Sequence, residues 1–241
     1  MTRQVVLLAA GTGSRLAPLT DSMPKCLVRV GSTTILDRML SQLADAGVER
    51  AVIVTGHKSD RLMDHLAHHP PKLAVKFAYN PHYATSNNAV SLQCAHLALE
   101  PGGFILCDAD VVLRRNPFKT LQRAPGSALL VDPRSGLGQE EMKAVVESGR
   151  VLNLSKELDP STCYGESIGI QKIGAGSADA VWRELDRMME AGRRHAYYEE
   201  AFQNLINQGH RFGVVPIETG SWTEIDDLAD LEDARVRFAG D

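Results

Sequence analysis

Apolar positions along this chain switch between short unbroken runs and helical stripes. Val5 to Leu8 is a run without a polar break, the pattern of a strand buried on both faces. Thr34 to Ala46 carries Ile35, Leu36, Met39, Leu40 and Leu43 on one stripe, and Gly47 follows as a helix stop. Ala51 to Thr55 predicts a second buried strand. Ser59 to His68 predicts a helix with Leu62, Met63 and Leu66 inward, and Leu73 to Tyr79 an alternating strand. A helix over Asn87 to Leu99 and a central strand over Phe104 to Cys107 complete the first half. This rhythm predicts an α/β fold, a mostly parallel mixed sheet covered by helices.

The second half changes texture. Ala128 to Asp132, Lys143 to Val146, Val151 to Lys156 and Ser167 to Ile173 read as short strands with brief turns between them. Helices return at Ala178 to Glu190 and Glu199 to Gln208. A strand over Arg211 to Pro216 and a helix from Leu228 follow. No low-complexity linker, repeat or charge run divides the chain, so residues 1–241 read as one domain.

Composition narrows the class. Of 241 residues, 44% are hydrophobic and 23% charged, the balance of an ordinary globular domain. A formal net charge of −4 argues against a nucleic acid held by bulk electrostatics. Cys26, Cys94, Cys107 and Cys163 are scattered without a Cys-x-x-Cys pair, which fits a reducing, cytoplasmic setting. The start of the chain enters a strand directly, without a secretory signal. No apolar run approaches the roughly 20 residues of a membrane span. His65, His68 and His69 share a helical face, but no fourth metal partner is evident, and a solvated face accounts for them.

The candidate chemistry lies just after the first strand. Leu8-Ala9-Ala10-Gly11-Thr12-Gly13-Ser14 is a loop of small residues, followed by Arg15 and then Lys25. Glycines let backbone N–H groups approach a ligand, and flanking cations suit a polyphosphate. The dinucleotide fingerprint is excluded because Leu16 stands where it needs a third glycine. The P-loop is excluded because Lys25 follows Pro24 and precedes Cys26. A second feature is Cys107-Asp108-Ala109-Asp110, two acids at the end of a buried strand. They either lie in a solvated turn or hold a cation. Magnesium fits beside a polyphosphate, since it takes one or two carboxylates and keeps its other positions for phosphate oxygens and water.

Ala9-Ala10-Gly11-Thr12-Gly13-Ser14-Arg15-Leu16, then Pro18-Leu19-Thr20, then Pro24-Lys25, resemble the signature of the sugar-nucleotidyltransferase-like family. The resemblance implies a single Rossmann-like domain of the GT-A-like nucleotidyltransferase type. About 1–125 would form its nucleotide-binding half and about 126–241 its acceptor-binding half. It implies that Leu8, Ala9, Ala10, Gly11, Thr12, Gly13 and Ser14 wrap the nucleotide. Arg15 then contacts the outgoing phosphates, and Lys25 bridges the reacting α-phosphate and the incoming phosphate. It also implies that Mg²⁺ sits on Asp110 and on Asp226 of the turn Trp222-Thr223-Glu224-Ile225-Asp226. Asp108 is the alternative ligand beside the nucleotide, and Glu224 a lesser one.

Tyr83-Ala84-Thr85-Ser86-Asn87-Asn88-Ala89-Val90-Ser91-Leu92 is similar to the small-headgroup branch, the phosphocholine and 2-aminoethylphosphonate cytidylyltransferases. That branch implies transfer of CMP from CTP, or another pyrimidine triphosphate, to a small phosphate- or phosphonate-bearing acceptor, with pyrophosphate released. Asn80, Asn87, Asn88 and Ser91 are then candidates for reading the base. As residues, Asn87 and Asn88 equally suit helix caps. On the acceptor side the resemblance points to Lys156, with Lys143 beside it. Each of these could equally be a surface lysine. Glu166 either meets an acceptor amine or hydroxyl or pairs with a lysine. Tyr198 and Glu199 open a helix, and with Trp222 they are candidates for a cationic headgroup. Total aromatic content of 5% is thin for a full aromatic cage. Three alternatives stay open: a sugar-1-phosphate uridylyl- or thymidylyltransferase, a silent nucleotide-sensing module, and a dinucleotide-binding oxidoreductase. Keeping Arg15, Lys25, Asp110 and Asp226 together weighs against the second, and Leu16 against the third. A homodimer is left open.

Overall fold

The first apolar run is buried on both sides, with Val5 and Leu7 turned to one face of a sheet and Val6 to the other. It is β1 (Gln4–Ala9) of the computed structural model, which describes residues 2–134 and 136–238. Three short 3-10 turns lead into the hairpin β2 (Arg29–Val30) and β3 (Thr33–Thr34), and then α1 (Ile35–Asp45). Next come β4 (Arg50–Thr55), α2 (Ser59–His68), β5 (Ala74–Tyr79), α3 (Asn88–Cys94) and β6 (Phe104–Asp108). β7 (Val111–Leu113) and α4 (Phe118–Arg123) precede β8 (Ser127–Asp132), β9 (Lys143–Glu147), β10 (Arg150–Ser155) and β11 (Gly165–Ile173). α5 (Ala175–Glu190), α6 (Tyr198–Asn207), β12 (Phe212–Pro216), β13 (Trp222–Glu224) and α7 (Leu228–Arg237) complete the order.

Nine strands form one mixed sheet in the order β5-β4-β1-β6-β11-β8-β12-β10-β9. β5, β4, β1 and β6 are parallel, as the alternating strand and helix pattern requires. β11 then reverses direction between β6 and β8. β9 pairs back onto the start of β11, so the far part of the sheet curls round. Gly165 makes that closure possible, because a Cβ there would run into the Asp132 carbonyl of β8.

Helices cover both faces. α1, α2 and α4 pack on one side through residues such as Leu36, Met39, Leu62 and Leu121, and α3, α5 and α6 on the other through Leu92, Val181 and Phe202. Thr34 caps α1 by accepting from the Asp37 N–H, and Gly47 takes a positive φ of 85° just after it. A third apolar cluster joins Leu16 to Val28, Val112, Ile225 and Phe238. Leu16 is therefore a core anchor that ties the glycine loop to β7 and α7. No helix among the described residues is long and apolar enough to cross a membrane.

Three details differ from the sequence pattern. Met63 is exposed, because the inward stripe of α2 is Leu62 and Leu66, four residues apart, and Met63 lies about 100° round from Leu62. The helix expected over Asn87 to Leu99 ends at Cys94, and a separate 3-10 turn covers His96–Ala98. The hairpin β2–β3, the pair β7–β13 and α4 are elements too short to show a period.

Candidate active site

The carboxyl ends of β1 and β6 are neighbours in register, Leu8 opposite Asp108, so the loops after them share one rim of the sheet. Gly13 turns that first loop with φ 60°. A Cβ there would meet Thr20 Cγ2 at 3.0 Å and Lys25 Cβ at 3.1 Å, so the absent side chain lets the segment to Lys25 fold back onto the loop. Thr20 Oγ1 donates to the Gly13 carbonyl at 2.8 Å, and the His57 ring braces the Thr20 carbonyl at 2.8 Å. Leu8, Ala9, Gly11, Gly13, Lys25 and Asp110 line a small cavity of about 90 Å³ here. Ala10 is buried beneath the loop, while Thr12 is half-buried and Ser14 exposed.

Asp226 reaches this rim from the other end of the chain. β13 pairs with β7 so that Glu224 lies opposite Val111, and the Ile225 N–H donates to the Asp110 carbonyl at 3.1 Å. Asp227 then caps α7, with Asp230 returning the bond as a capping box. These pairings hold Asp110 and Asp226 on either side of Lys25. Lys25 Nζ lies 2.8 Å from Asp110 Oδ2 and 2.8 Å from Asp226 Oδ1. Arg15 Nη2 is 2.8 Å from Asp226 Oδ2.

Charge and burial set the protonation of this cluster. Burial works to lower the Lys25 pKa, but Asp110 and Asp226 overcome it and hold the ammonium above its ordinary range. Asp226 is raised by burial, yet Lys25 and Arg15 pull it below the usual carboxylate value. Glu224 keeps accessible surface inside a concave wall, and loss of hydration with Asp110 and Asp226 nearby pushes it up to about 8. The neighbouring Cys26 thiol is pushed up by burial to about 12, which removes it as a nucleophile.

One oxygen from each of Asp110, Glu224 and Asp226 lies within 4.8 Å of the others. Asp110 Oδ1 is buried and has no hydrogen-bond partner. An unpartnered carboxylate oxygen beside two further carboxylates is a donor set that fits a hard divalent cation such as Mg²⁺. The histidines of α2 are not such a set: His65 Nε2 lies 2.9 Å from both Asp37 carboxylate oxygens, which accept from it, and the His69 ring stacks on it.

Behind the rim, Asp108 is half-buried, and loss of hydration with Asp110 and Glu199 nearby pushes its carboxyl well above the ordinary range. It accepts from the Tyr198 hydroxyl at 2.7 Å, and Gly169 makes the room, since a Cβ would come 2.5 Å from Asp108 Oδ2. Tyr198, a candidate for the acceptor, is 0% exposed and belongs to the core layer with Phe202. Asn87 caps α3, and Asn88 accepts from the Tyr198 N–H at 2.9 Å, so it caps α6. Asn80 is wholly buried and donates to Ser91 Oγ at 3.0 Å, which occupies both residues within the wall.

A larger cavity of about 740 Å³ opens from Arg15, Glu224 and Asp226 toward Arg134, Glu166 and Lys156. Glu166 is 6% exposed and pairs with Arg134, which also reaches Glu141 at 3.6 Å. Burial raises Glu166 to about 7 against the pull of Arg134. Trp222 lines the same wall, its indole N–H donating to Asp132 Oδ2 at 2.9 Å. Lys156 lies 4.9 Å over the Tyr197 ring and 3.5 Å from Glu140. Lys143 is buried, and its ammonium donates to the carbonyls of Gln139, Glu141 and Lys156. It holds the 139–141 loop and is not open to this cavity. Glu199 lines an adjoining cavity beyond Lys156 and Tyr197.

Arg134, Glu140 and Asp132 are not among the site candidates that the sequence offers, and Glu141 enters only as the first residue of Glu141-Met142-Lys143-Ala144-Val145, a segment similar to the small-headgroup branch, with no role of its own. The signal was partly there: Asp132 ends an apolar strand, as Asp108 does. Arg134 and Glu140 lie in an irregular loop without a motif.

The sequence pattern described as nucleotidyl transferase matches residues 4–129. A 2-aminoethylphosphonate cytidylyltransferase from Lancefieldella rimae is 27% identical over 228 residues, covering 94% of this chain and 89% of that protein. A CTP:phosphoglutamine cytidylyltransferase from Campylobacter jejuni is 27% identical over 249 residues, covering 94% of this chain and 97% of that protein. Among solved structures, the CTP:phosphocholine cytidylyltransferase from Streptococcus pneumoniae superposes with a TM-score of 0.83 at 24% identity. That likeness covers 98% of this chain and 99% of the other.

Proposed function

Because this chain belongs to the nucleotidyl transferase family, we propose that it transfers CMP from CTP to a small phosphate- or phosphonate-bearing acceptor. The observation that carries this reading is the convergence of Lys25, Arg15, Asp110 and Asp226 at one rim. The names of the relatives support the choice of CTP and of a small acceptor. In this reading about 1–125 carry the nucleotide and about 126–241 the acceptor.

An acceptor oxygen attacks the α-phosphorus, a new P–O bond forms, and the bond to the β-phosphate bridging oxygen breaks, so pyrophosphate leaves with its electron pair. No strong base is needed, since a phosphate monoester with a second pKa near 6 is largely ionised at pH 7. The protein's work is to position and to neutralise charge. The Leu8–Ser14 loop offers backbone N–H groups to the triphosphate. Lys25 offsets charge growing at the α-phosphorus, and Arg15 charge on the leaving pyrophosphate. Asp110 and Asp226, with Glu224 beside them, would hold Mg²⁺, which supplies positive charge to the phosphate oxygens when bound. Asn87 and Asn88 act through the helix ends they hold. Lys156, Glu166 and Trp222 face the acceptor.

The test is a panel of CTP, UTP and dTTP with Mg²⁺, each against small phosphorylated and phosphonate acceptors and sugar-1-phosphates, read by pyrophosphate release. CTP with a small acceptor is expected to give the fastest release. Turnover confined to UTP or dTTP with a sugar-1-phosphate would replace this reading with sugar nucleotide synthesis.

A further inference from the structure

Thr20, between Arg15 and Lys25 in the chain, is 2% exposed and bonded through both its hydroxyl and its carbonyl. The hydroxyl donates to the Gly13 carbonyl at 2.8 Å, and the Thr20 carbonyl accepts from the His57 ring Nε2 at 2.8 Å. A carbonyl only accepts, so Nε2 carries the proton. The His57 main-chain N–H donates to the Ala10 carbonyl at 3.0 Å. One residue between β4 and α2 thus ties down the glycine loop where it leaves β1 and where it turns back toward Lys25. The corner at His57 is pressed against the loop. A Cβ on Gly56 would stand 2.6 Å from the Ala10 carbonyl oxygen and 2.5 Å from Tyr83 Cβ. Lys58, on the other side of His57, is held at φ 50°, a left-handed conformation uncommon for a lysine.

His57 is not among the residues that line the rim cavity, whereas Gly11, Gly13 and Lys25 are. It therefore acts through the backbone of the loop. Main-chain N–H groups hold a polyphosphate only while they point into one concavity. Gly11 and Gly13 let them come close, but glycine also gives up the most conformational freedom when it is fixed. A loose loop would lose that freedom at each binding event, and affinity would fall accordingly. A loop held at Ala10, Gly13 and Thr20 has already lost it on folding. The advantage is greatest for a ligand that lays several phosphates along the loop.

Building on the cytidylyltransferase reading, we propose that His57 is a positioning residue, which through Ala10 and Thr20 holds the glycine loop in the shape that receives the triphosphate. The experiment measures the binding of CTP and of CMP to the full chain in Mg²⁺ by calorimetry, with melting curves of the free variants to follow the fold. His57→Ala should raise the Kd for CTP about tenfold and that for CMP, with a single phosphate, by less than about threefold. His57→Gln puts a side-chain amide N–H where Nε2 stood and should return the CTP affinity to within about threefold of wild type. Thr20→Val removes the hydroxyl that reaches Gly13 and should weaken CTP in the same direction, which keeps the test alive should His57→Ala not fold. The two changes together should weaken CTP little more than the larger of them alone, because they interrupt one chain of bonds. Unchanged CTP affinity in His57→Ala and Thr20→Val would overturn the inference and leave CMP transfer standing. So would equal losses for CTP and CMP with no recovery in His57→Gln, the mark of a merely structural residue. A wild-type chain that binds no CTP would overturn the inference together with the reading beneath it.

Discussion

Lys25→Ala is expected to lower turnover by a factor on the order of 10² to 10³, the usual loss when a preorganised donor to developing charge is removed. The ammonium is fixed from three sides. Asp110 and Asp226 hold it at 2.8 Å each, and the side chain packs against the turn at Gly13. Water replacing it would have to reorganise as charge develops at the α-phosphorus, and it carries no net charge. The variant has a second signature. With the ammonium gone, Asp110 and Asp226 face each other across an unfilled gap, and their repulsion destabilises the fold. Its melting temperature should therefore fall in the absence of divalent ions and recover with Mg²⁺ more than wild type gains. Steady-state pyrophosphate release and melting curves with and without Mg²⁺ check both parts. Turnover close to wild type would remove Lys25 from the chemistry.

Asp226→Asn carries the second large effect. The amide keeps the shape and the capping turn at Asp227, but it removes the charge that faces Lys25 and Arg15. A neutral oxygen is a poorer ligand for Mg²⁺, and weakened metal sites commonly lose 10- to 100-fold in affinity (an order-of-magnitude expectation). Turnover at limiting Mg²⁺ should drop by about two orders of magnitude and return in part as Mg²⁺ rises. Combined with Lys25→Ala, the loss should fall well short of the product of the two single losses, because the residues act as a unit. Activity titrated against Mg²⁺ is the readout. An unchanged Mg²⁺ dependence would place the metal elsewhere.

How far this site was legible differs from residue to residue. The strand, the glycine loop, Arg15 and Lys25 are contiguous, so local pattern sufficed for them. Asp226 lies 201 residues from its partner Lys25. What joins them is β13, three residues long and paired with β7. Strands of that length have no readable period, so only the similarity of the Trp222–Asp226 turn to a known family pointed there. Glu224 is the lesser candidate in the sequence because nothing local reveals that β13 brings it beside Asp110. The burial of Tyr198 is legible in the sequence. Tyr198, Phe202 and Leu205 follow the spacing i, i+4, i+7, which marks the buried stripe of α6. Lys143 gave no warning, since carbonyl groups that come together only in the fold consume its ammonium. The parallel half of the sheet follows from alternating strands and helices. The curl of β9 onto β11 does not, because it depends on one glycine at a close crossing.

The central claim is that a nucleotide tail and a divalent cation meet between the glycine loop and two distant aspartates. The most direct measurement is a crystal structure with CTP and Mg²⁺. The account predicts the α-phosphate against Lys25 and the metal bound by Asp110 and Asp226. A triphosphate bound away from this rim, or a metal held by other side chains, would contradict it.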